Sequence, residues 1–416
     1  MNKNQRTKHF YLILILGLLT AIGPFSIDMY LPAFPDIAAN LHTSVAQVML
    51  SLSSFFIGIS AGQVIYGPLL ERYGRKKPLY AGLVIYLFAS AGCAFASSVD
   101  SLIIFRLLQA LGGCAGMVAA RAVVRDLFEV TKIARVFSSL MLVIAVSPIV
   151  APTLGGYITA AFGWRYVFAA LIILAIIILA GIHFILPESK EPDPNFSLKP
   201  VPLVRNFAGI FKNRQFNTYA FTSAIASAGL YAYVSGSPFV FMKYFHVTEK
   251  QYGWIFAFIA IGLITASQIN NVMLKKYSSE QIIRMALIFQ CMTGVALAAV
   301  SFFEAGNLFV TIFLIFIFLS CQGFVFPNTS ALSLAPFAHN AGSASAMMGA
   351  IQMTIGAGTS ALVSILQSET AFAMTGVMAG CAFIALLVLL WGRKVIAYRA
   401  ALETVEKEDV EMISTL

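Results

Sequence analysis

Charge is what this chain has least of. Across its 416 residues, Asp, Glu, Lys and Arg make up 11%, while 59% of the side chains are hydrophobic. A soluble globular chain carries about 25% charged residues, and no water-soluble core hides the apolar surface that a mean hydropathy of +0.85 implies. Cysteine is scarce as well. Cys93, Cys114, Cys291, Cys321 and Cys381 all sit inside apolar runs without a C-x-x-C pair, which argues against a disulfide framework or a zinc site and leaves small packing residues. No G-x-x-x-x-G-K-[ST], H-E-x-x-H or G-x-S-x-G occurs, so an ATP-driven pump, an intramembrane metalloprotease and a nucleophile-elbow hydrolase lack their chemistry. His183, His246 and His339 fall near predicted helix ends without clustering and read as solvated or interfacial. The chain is therefore expected to be no enzyme and to hold neither metal nor cofactor.

What fills the sequence instead is apolar runs, each long enough to cross a hydrocarbon layer roughly 30 Å thick. The predicted spans are 10–33, 44–70, 78–97, 101–122, 135–160 and 165–186, then 216–242, 251–274, 281–303, 307–333, 341–366 and 371–397. The basic segment Met1 to His9 feeds straight into the first run, and no small-residue cleavage site follows, so this is a retained helix and not a signal peptide. Between the two sets of six, residues 187–215 hold Pro187, Pro192, Pro194, Pro200 and Pro202 with mixed charges, the composition of a linker. It separates an N-terminal bundle, 1–186, from a C-terminal bundle, 216–397, which is followed by a polar tail, 398–416. Of the 27 Lys and Arg residues, Arg106 and Arg121 fall inside the fourth span and Arg165, Lys243 and Lys250 in loops on one side; the rest lie on the side of the termini. That asymmetry predicts both termini in the cytoplasm. The net charge of +9 forms no continuous basic face, so nucleic acid is not an expected partner.

Ionisable groups inside the spans carry the next inference. Of 18 acids only Asp28 falls within a predicted span, and such a group is costly in hydrocarbon and by default marks a proton relay or substrate contact. The alternative is a carboxylate reaching back to the headgroups. At 1.5 Å per residue Asp28 and Arg106 come out at one depth, so the two are expected to face each other or a shared wet cavity, with Arg106 tuning the proton affinity of Asp28. Polar stripes follow in the second half: Ser223, Ser227, Tyr231 and Ser235 in one span, Ser345, Gly349, Gln352 and Gly356 in another. At helical spacing each lines one face, which in lipid turns to protein or water. With Tyr30, Phe55, Gln109, Met141, Tyr233 and Phe256 these residues are expected to wall a largely apolar substrate cavity.

Three local patterns carry a resemblance. Gly67-Pro68-Leu69-Leu70-Glu71-Arg72-Tyr73-Gly74-Arg75-Lys76-Lys77 resembles the G-x-L-a-D-R-x-G-R-[RK] signature of the major facilitator superfamily, with Glu71 where Asp is usual. Its glycines permit a tight turn and close helix approach; Glu71 can face a helix N-terminus and Arg75 an acid such as Asp126, forming with Arg72 and Arg125 a conformational latch. Arg106 to Gly116 resembles the R-x-x-Q-G-x-G element, with Ala110 replacing a glycine. Gly112 and Gly116 form a close-packing ridge. Ala145 to Gly156 looks like the antiporter element G-P-x-x-G-G without its leading glycine; Pro148 and Pro152 bend the helix, and Gly155 and Gly156 let a neighbour approach. Asp28 to Pro35 and Arg121 to Asp126 are similar to the bicyclomycin and chloramphenicol resistance branch of the proton-coupled multidrug antiporters. The resemblance is carried mostly by the first half; in the second it rests on helix count and on Gly262 to Lys276, a decayed echo of the loop signature. It implies an all-α membrane protein of the major facilitator fold, twelve transmembrane helices in two six-helix bundles, working as a monomer in a bacterial inner membrane. It further implies small-molecule efflux in exchange for protons by alternating access. A proton-coupled transporter of a metabolite, peptide or siderophore is the alternative the same residues serve.

Overall fold

Hydrocarbon offers no water to a polar backbone, so a spanning segment must satisfy its own N–H and C=O groups. In the computed structural model every regular element among the described residues is accordingly a helix. The structure describes residues 3–128, 130–194, 208–337, 341–367 and 369–414; His339 and the middle of the linker lie outside them. The first bundle contains α1 (Lys3–Asp28), a 3-10 turn (Leu31–Ala33), α2 (Phe34–Asn40), α3 (Val45–Tyr73), α4 (Lys76–Ala94), α5 (Val99–Leu127), α6 (Val130–Phe162) and α7 (Arg165–Phe184). The second contains α8 (Arg214–Pro238), continued by a π-helical turn (Phe239–Tyr244), then α9 (Glu249–Met273), α10 (Ser279–Phe302), α11 (Leu308–Leu334), α12 (Ala341–Ile365) and α13 (Phe372–Ser414). Among the described residues, twelve spans are long and apolar enough to cross a membrane, with α1, the 3-10 turn and α2 together making the first. Two boundaries differ most from expectation. The first span continues to Asn40, and the last helix runs on to Ser414 through the segment expected to be a tail.

Polar residues set where the helices begin. Ser44 accepts the Gln47 N–H at the start of α3, and reciprocal caps join Ser98 to Ser101, Thr248 to Gln251 and Ser278 to Gln281 at the starts of α5, α9 and α10. Gly74, at φ +81°, ends α3 in a conformation that a side chain would strain.

The two bundles repeat one packing scheme. α5 lies against α1, α3 and α4, and α11 lies in the same way against α8, α9 and α10. The bundles meet along two seams, α3 with α12 and α6 with α9. Close approach is made possible by missing side chains. A Cβ at Gly112 would lie 2.5 Å from the Gly82 carbonyl oxygen and from the Tyr86 nitrogen, one at Gly58 2.5 Å from the Leu107 oxygen, and one at Gly116 3.1 Å from the Leu19 oxygen. At Gly67 nothing lies within 4 Å, so the close approach expected there is absent; that stretch of α3 has open space where a neighbour was anticipated.

Overpacking at a backbone contact costs about 1–3 kcal/mol. Gly112→Val is expected to lower the thermal unfolding midpoint of the detergent-solubilised protein, whereas Gly67→Ala leaves it unchanged.

Candidate functional site

The first span breaks immediately after Asp28. Pro32 and Pro35 bring no backbone N–H, and the ring of Pro32 crowds the carbonyl four residues back, at Asp28, so the chain passes from α1 through the 3-10 turn into α2. Span five supports this break from the side. Gly155 of α6 packs on the backbone of Met29 so closely that a Cβ would collide with its carbonyl oxygen. Asp28, at the end of α1, is 6% exposed and makes no hydrogen bond or ion pair among the described residues. The side chains on which its charge acts are Tyr233 of α8 and Tyr252 of α9, across the seam in the second bundle. Tyr252 shares a 2.8 Å hydrogen bond with Ser237, and the hydroxyl of Tyr233 lies near the same serine.

Arg106 occupies a different enclosure. Fully buried, its guanidinium lies 4.5 Å from the Tyr30 ring centre and 4.1 Å from that of Phe55, and its Nη1 donates to Gln109 Oε1 at 2.6 Å. Gln109 passes the connection on by donating to Ser90 Oγ at 2.8 Å. Tyr30 is held by Ser51 at 2.8 Å, and Tyr86 by Ser26 at 2.6 Å. Four spans thus close around one cation whose Nε and Nη2 remain without hydrogen bonds. The face-to-face approach expected of Asp28 and Arg106 is not formed: no salt bridge joins them among the described residues. The reason lies in the break. Tyr30, two residues beyond Asp28, is the part of span one that turns to Arg106, while Asp28 itself turns to the seam.

The expected cavity residues fall into separate groups. Tyr30, Phe55 and Gln109 belong to the Arg106 enclosure. Tyr233 and Phe256 pack with tilted rings, their centres 5.3 Å apart, in the second bundle. Tyr231 packs against Phe56 at 4.9 Å, and Gln352 donates to Ser227 Oγ at 2.7 Å, beside a second donor, Gln322, at 2.6 Å. Met141 stands apart, 49% exposed. The α3–α12 seam is laced by a serine chain, Ser53 to Ser360 at 2.8 Å and Ser360 to Ser235 at 2.9 Å, by Ser60 with Thr354 at 2.8 Å, and by Ser364 donating to the Ala46 carbonyl at 2.6 Å. Along the α6–α9 seam, a Cβ at Gly253 would lie 2.8 Å from Thr153 Cα and 3.0 Å from the Pro152 oxygen, and Gly156 meets the Glu249 backbone. Pro148 and Pro152 both lie inside α6. The element singled out on this helix therefore forms one of the two contacts between the bundles.

At the α3–α4 turn Arg75 is the hub. It grips Asp126 through Nε at 2.7 Å and Nη2 at 3.3 Å, and through Nη1 bonds Glu71 and the Leu70 carbonyl, each at 3.0 Å. Burial by itself would lower the guanidinium's pKa, but the hydrogen bonds and charges of Asp126 and Glu71 hold it above the usual value. Glu71 does not face a helix N-terminus; it pairs with Arg75 and with Lys190. The start of α4 is capped instead by Glu188, which accepts the backbone N–H groups of Arg75 at 2.6 Å and Lys76 at 3.1 Å. Ser189 adds a 3.0 Å bond to Asp126. Arg72 lies in the last turn of α3, and Arg125 is exposed beside Gly342 of α12. Glu188, Ser189 and Lys190 were not foreseen. Their one sequence signal is a polar trio directly after Pro187, where the last hydrophobic span of the first bundle ends.

A description of the Major Facilitator Superfamily matches residues 16–361. The chain belongs to that superfamily. It is 30% identical over 384 residues to the bicyclomycin resistance protein homolog of Haemophilus influenzae, covering 92% of this chain and 96% of the relative. It is 29% identical to the multidrug resistance protein MdtL of Escherichia coli, covering 91% and 96% respectively. Among solved structures, a D-xylose-proton symporter superposes with a TM-score of 0.73 at 13% identity, covering 90% of this chain and 97% of that one. A bacterial homolog of the human lysosomal transporter Spinster, in an inward-facing conformation, gives 0.70 at 15%, covering 94% and 96%. This major facilitator chain is thus a multi-pass inner-membrane transporter and not an enzyme.

Loss of a helix cap costs about 1 kcal/mol, roughly fivefold in an opening equilibrium. Glu188→Ala is therefore expected to speed amide hydrogen exchange at Arg75 and Lys76 by about that factor, with exchange at the α5 cap unchanged.

Proposed function

We propose that this transporter expels small organic molecules from the bacterial cytoplasm in exchange for protons, with Asp28 as the proton carrier. The supporting observation is a buried carboxylate without a counter-ion, set at a helix break on the seam between two bundles. An ionised carboxylate is expensive in a dry seam, so proton binding and the packing of that seam are thermodynamically linked. The two bundles rock about the Asp28 region, alternately opening a path to each side. With both termini cytoplasmic, the Arg75 cluster faces inward and acts as the latch, and the α6–α9 contact at Gly156 and Glu249 closes the outer side. Arg106 organises the first bundle through Tyr30, so that movement of the break reaches its enclosure. Entering protons supply roughly 2.3 kcal/mol per charge per 100 mV. The resistance functions named for the relatives support a drug-like substrate class.

Asp28→Asn in proteoliposomes with an imposed pH gradient is expected to abolish gradient-driven transport while leaving insertion and the unfolding midpoint unchanged. Full gradient-driven activity in this variant removes Asp28 from the mechanism. Arg75→Ala is expected to reduce turnover severalfold and spare substrate Kd, because the latch lies away from the seam centre and acts on conformational switching. A sharp loss of binding in well-folded Arg75→Ala contradicts the latch.

A further inference from the structure

With Arg106 shut in its own enclosure, no charged side chain among the described residues acts on Asp28. What faces it comes from the second bundle. The 3-10 turn that follows Asp28 packs on both α8 and α9, and these helices bring a trio of hydroxyls. Tyr252 and Ser237, both buried, share a 2.8 Å hydrogen bond, and the hydroxyl of buried Tyr233 lies near the same serine. The charge of Asp28 acts on both tyrosines. Phe256 holds the two rings in place, tilted against Tyr233 at 5.3 Å and against Tyr252 at 6.0 Å. Gly253, next to Tyr252, meets Pro152 and Thr153 of α6, so the trio stands at the α6–α9 seam. One bundle thus carries the carboxylate and the other the hydroxyls.

The remaining charged and titratable groups of the packed elements are engaged elsewhere. On α5, Arg106 is held by Gln109 and two rings. Lys250 of α9 lies 5.4 Å from the Tyr157 ring centre of α6, and Lys243 of the π-helical turn 5.5 Å from that of Phe239. Arg165 of α7 donates to Asn40, Glu249 acts on Asp36 of α2, and Tyr30 is bonded to Ser51. A carboxylate in a dry seam has only the donors that its walls supply, and each donor favours the ionised form. A hydroxyl is a rotor that can turn its hydrogen from one acceptor to another. We propose that Tyr252, Tyr233 and Ser237 set how firmly Asp28 holds its proton, by turning hydrogen bonds to the carboxylate as the proton leaves. The hydroxyls keep their own protons throughout; only hydrogen bonds are exchanged. Parting the α6–α9 seam withdraws these donors, so the hold on the proton changes with the relation between the bundles. The assignment rests on Asp28 as the proton carrier and gives the tuning expected of Arg106 to residues of the opposite bundle.

The test follows the protonated-carboxyl C=O stretch of Asp28 by infrared spectroscopy as pH is varied, in purified full-length protein reconstituted in phosphatidylcholine. The band is assigned by its absence in Asp28→Asn. Loss of a donor disfavours the charged form, so the titration midpoint rises. Tyr233→Phe combined with Tyr252→Phe is expected to raise it by about one pH unit or more, tenfold in proton affinity, and each single variant by less. Tyr66→Phe, which takes a hydroxyl from a buried tyrosine near the other end of α3, is expected to leave the midpoint in place. An unmoved or lowered midpoint in the double variant, an equal rise in Tyr66→Phe, or no titrating Asp28 band in wild type overturns the assignment. Where the double variant does not fold, the singles decide, and no rise in either has the same force. The midpoint is read without transport, so the two readings fail separately. A raised midpoint beside full gradient-driven activity in Asp28→Asn supports the tuning and removes the carrier; an unmoved midpoint beside lost activity removes the tuning alone.

Discussion

In hydrocarbon, helices gain nothing by hiding apolar side chains from one another, so twelve spans stay together through close packing at small residues and hydrogen bonds between polar ones. Both devices are concentrated where this molecule has to hold and move. Gly155 lets α6 press on the broken backbone beside Asp28, Gly253 admits the backbone of Pro152 and Thr153, and serines cross the α3–α12 seam. The same contacts that close the seam enclose the carboxylate, and the proposed coupling of proton binding to the relation between the bundles rests on that enclosure.

The cations are handled in three ways, according to what surrounds them. Arg75 is saturated by Asp126, Glu71 and a carbonyl, an arrangement suited to a contact that must be strong in one state. Arg106 has one hydrogen-bond partner and two aromatic faces; weakly hydrated guanidinium tolerates such an enclosure better than an ammonium does. Arg121 has neither among the described residues and is exposed near the end of α5. Linker residues complete the first of these sites, since Glu188, Ser189 and Lys190 each bond to the Arg75 cluster. The connection between the bundles is therefore mechanically part of the turn it leaves behind.

The twelve spans were legible in the sequence because each is a local property: a run of apolar residues long enough to cross the membrane, ended by caps and glycines written into the same stretch. The pairing of Arg75 with Asp126 was legible for a related reason, since both stand just past the ends of predicted spans on the same side of the first bundle. The loop signature and the glycine pair of α6 identified regions of close contact, although Gly67 turned out to face open space.

Direction was what only the tertiary structure decided. Depth along a helix follows from counting residues, and it placed Asp28 and Arg106 at one level; azimuth around a broken helix does not. The prolines after Asp28 interrupt the regular turn, so Tyr30 swings to Arg106 and Asp28 to Tyr233 and Tyr252 of the other bundle. Likewise, the polar stripes predicted that serines and glutamines would face protein, but which bundle supplied their partners was set by two seams formed between residues far apart in the chain, as with Ser53 and Ser360. Local composition determines that a helix spans and which face is polar; the packing of distant helices determines what that face meets.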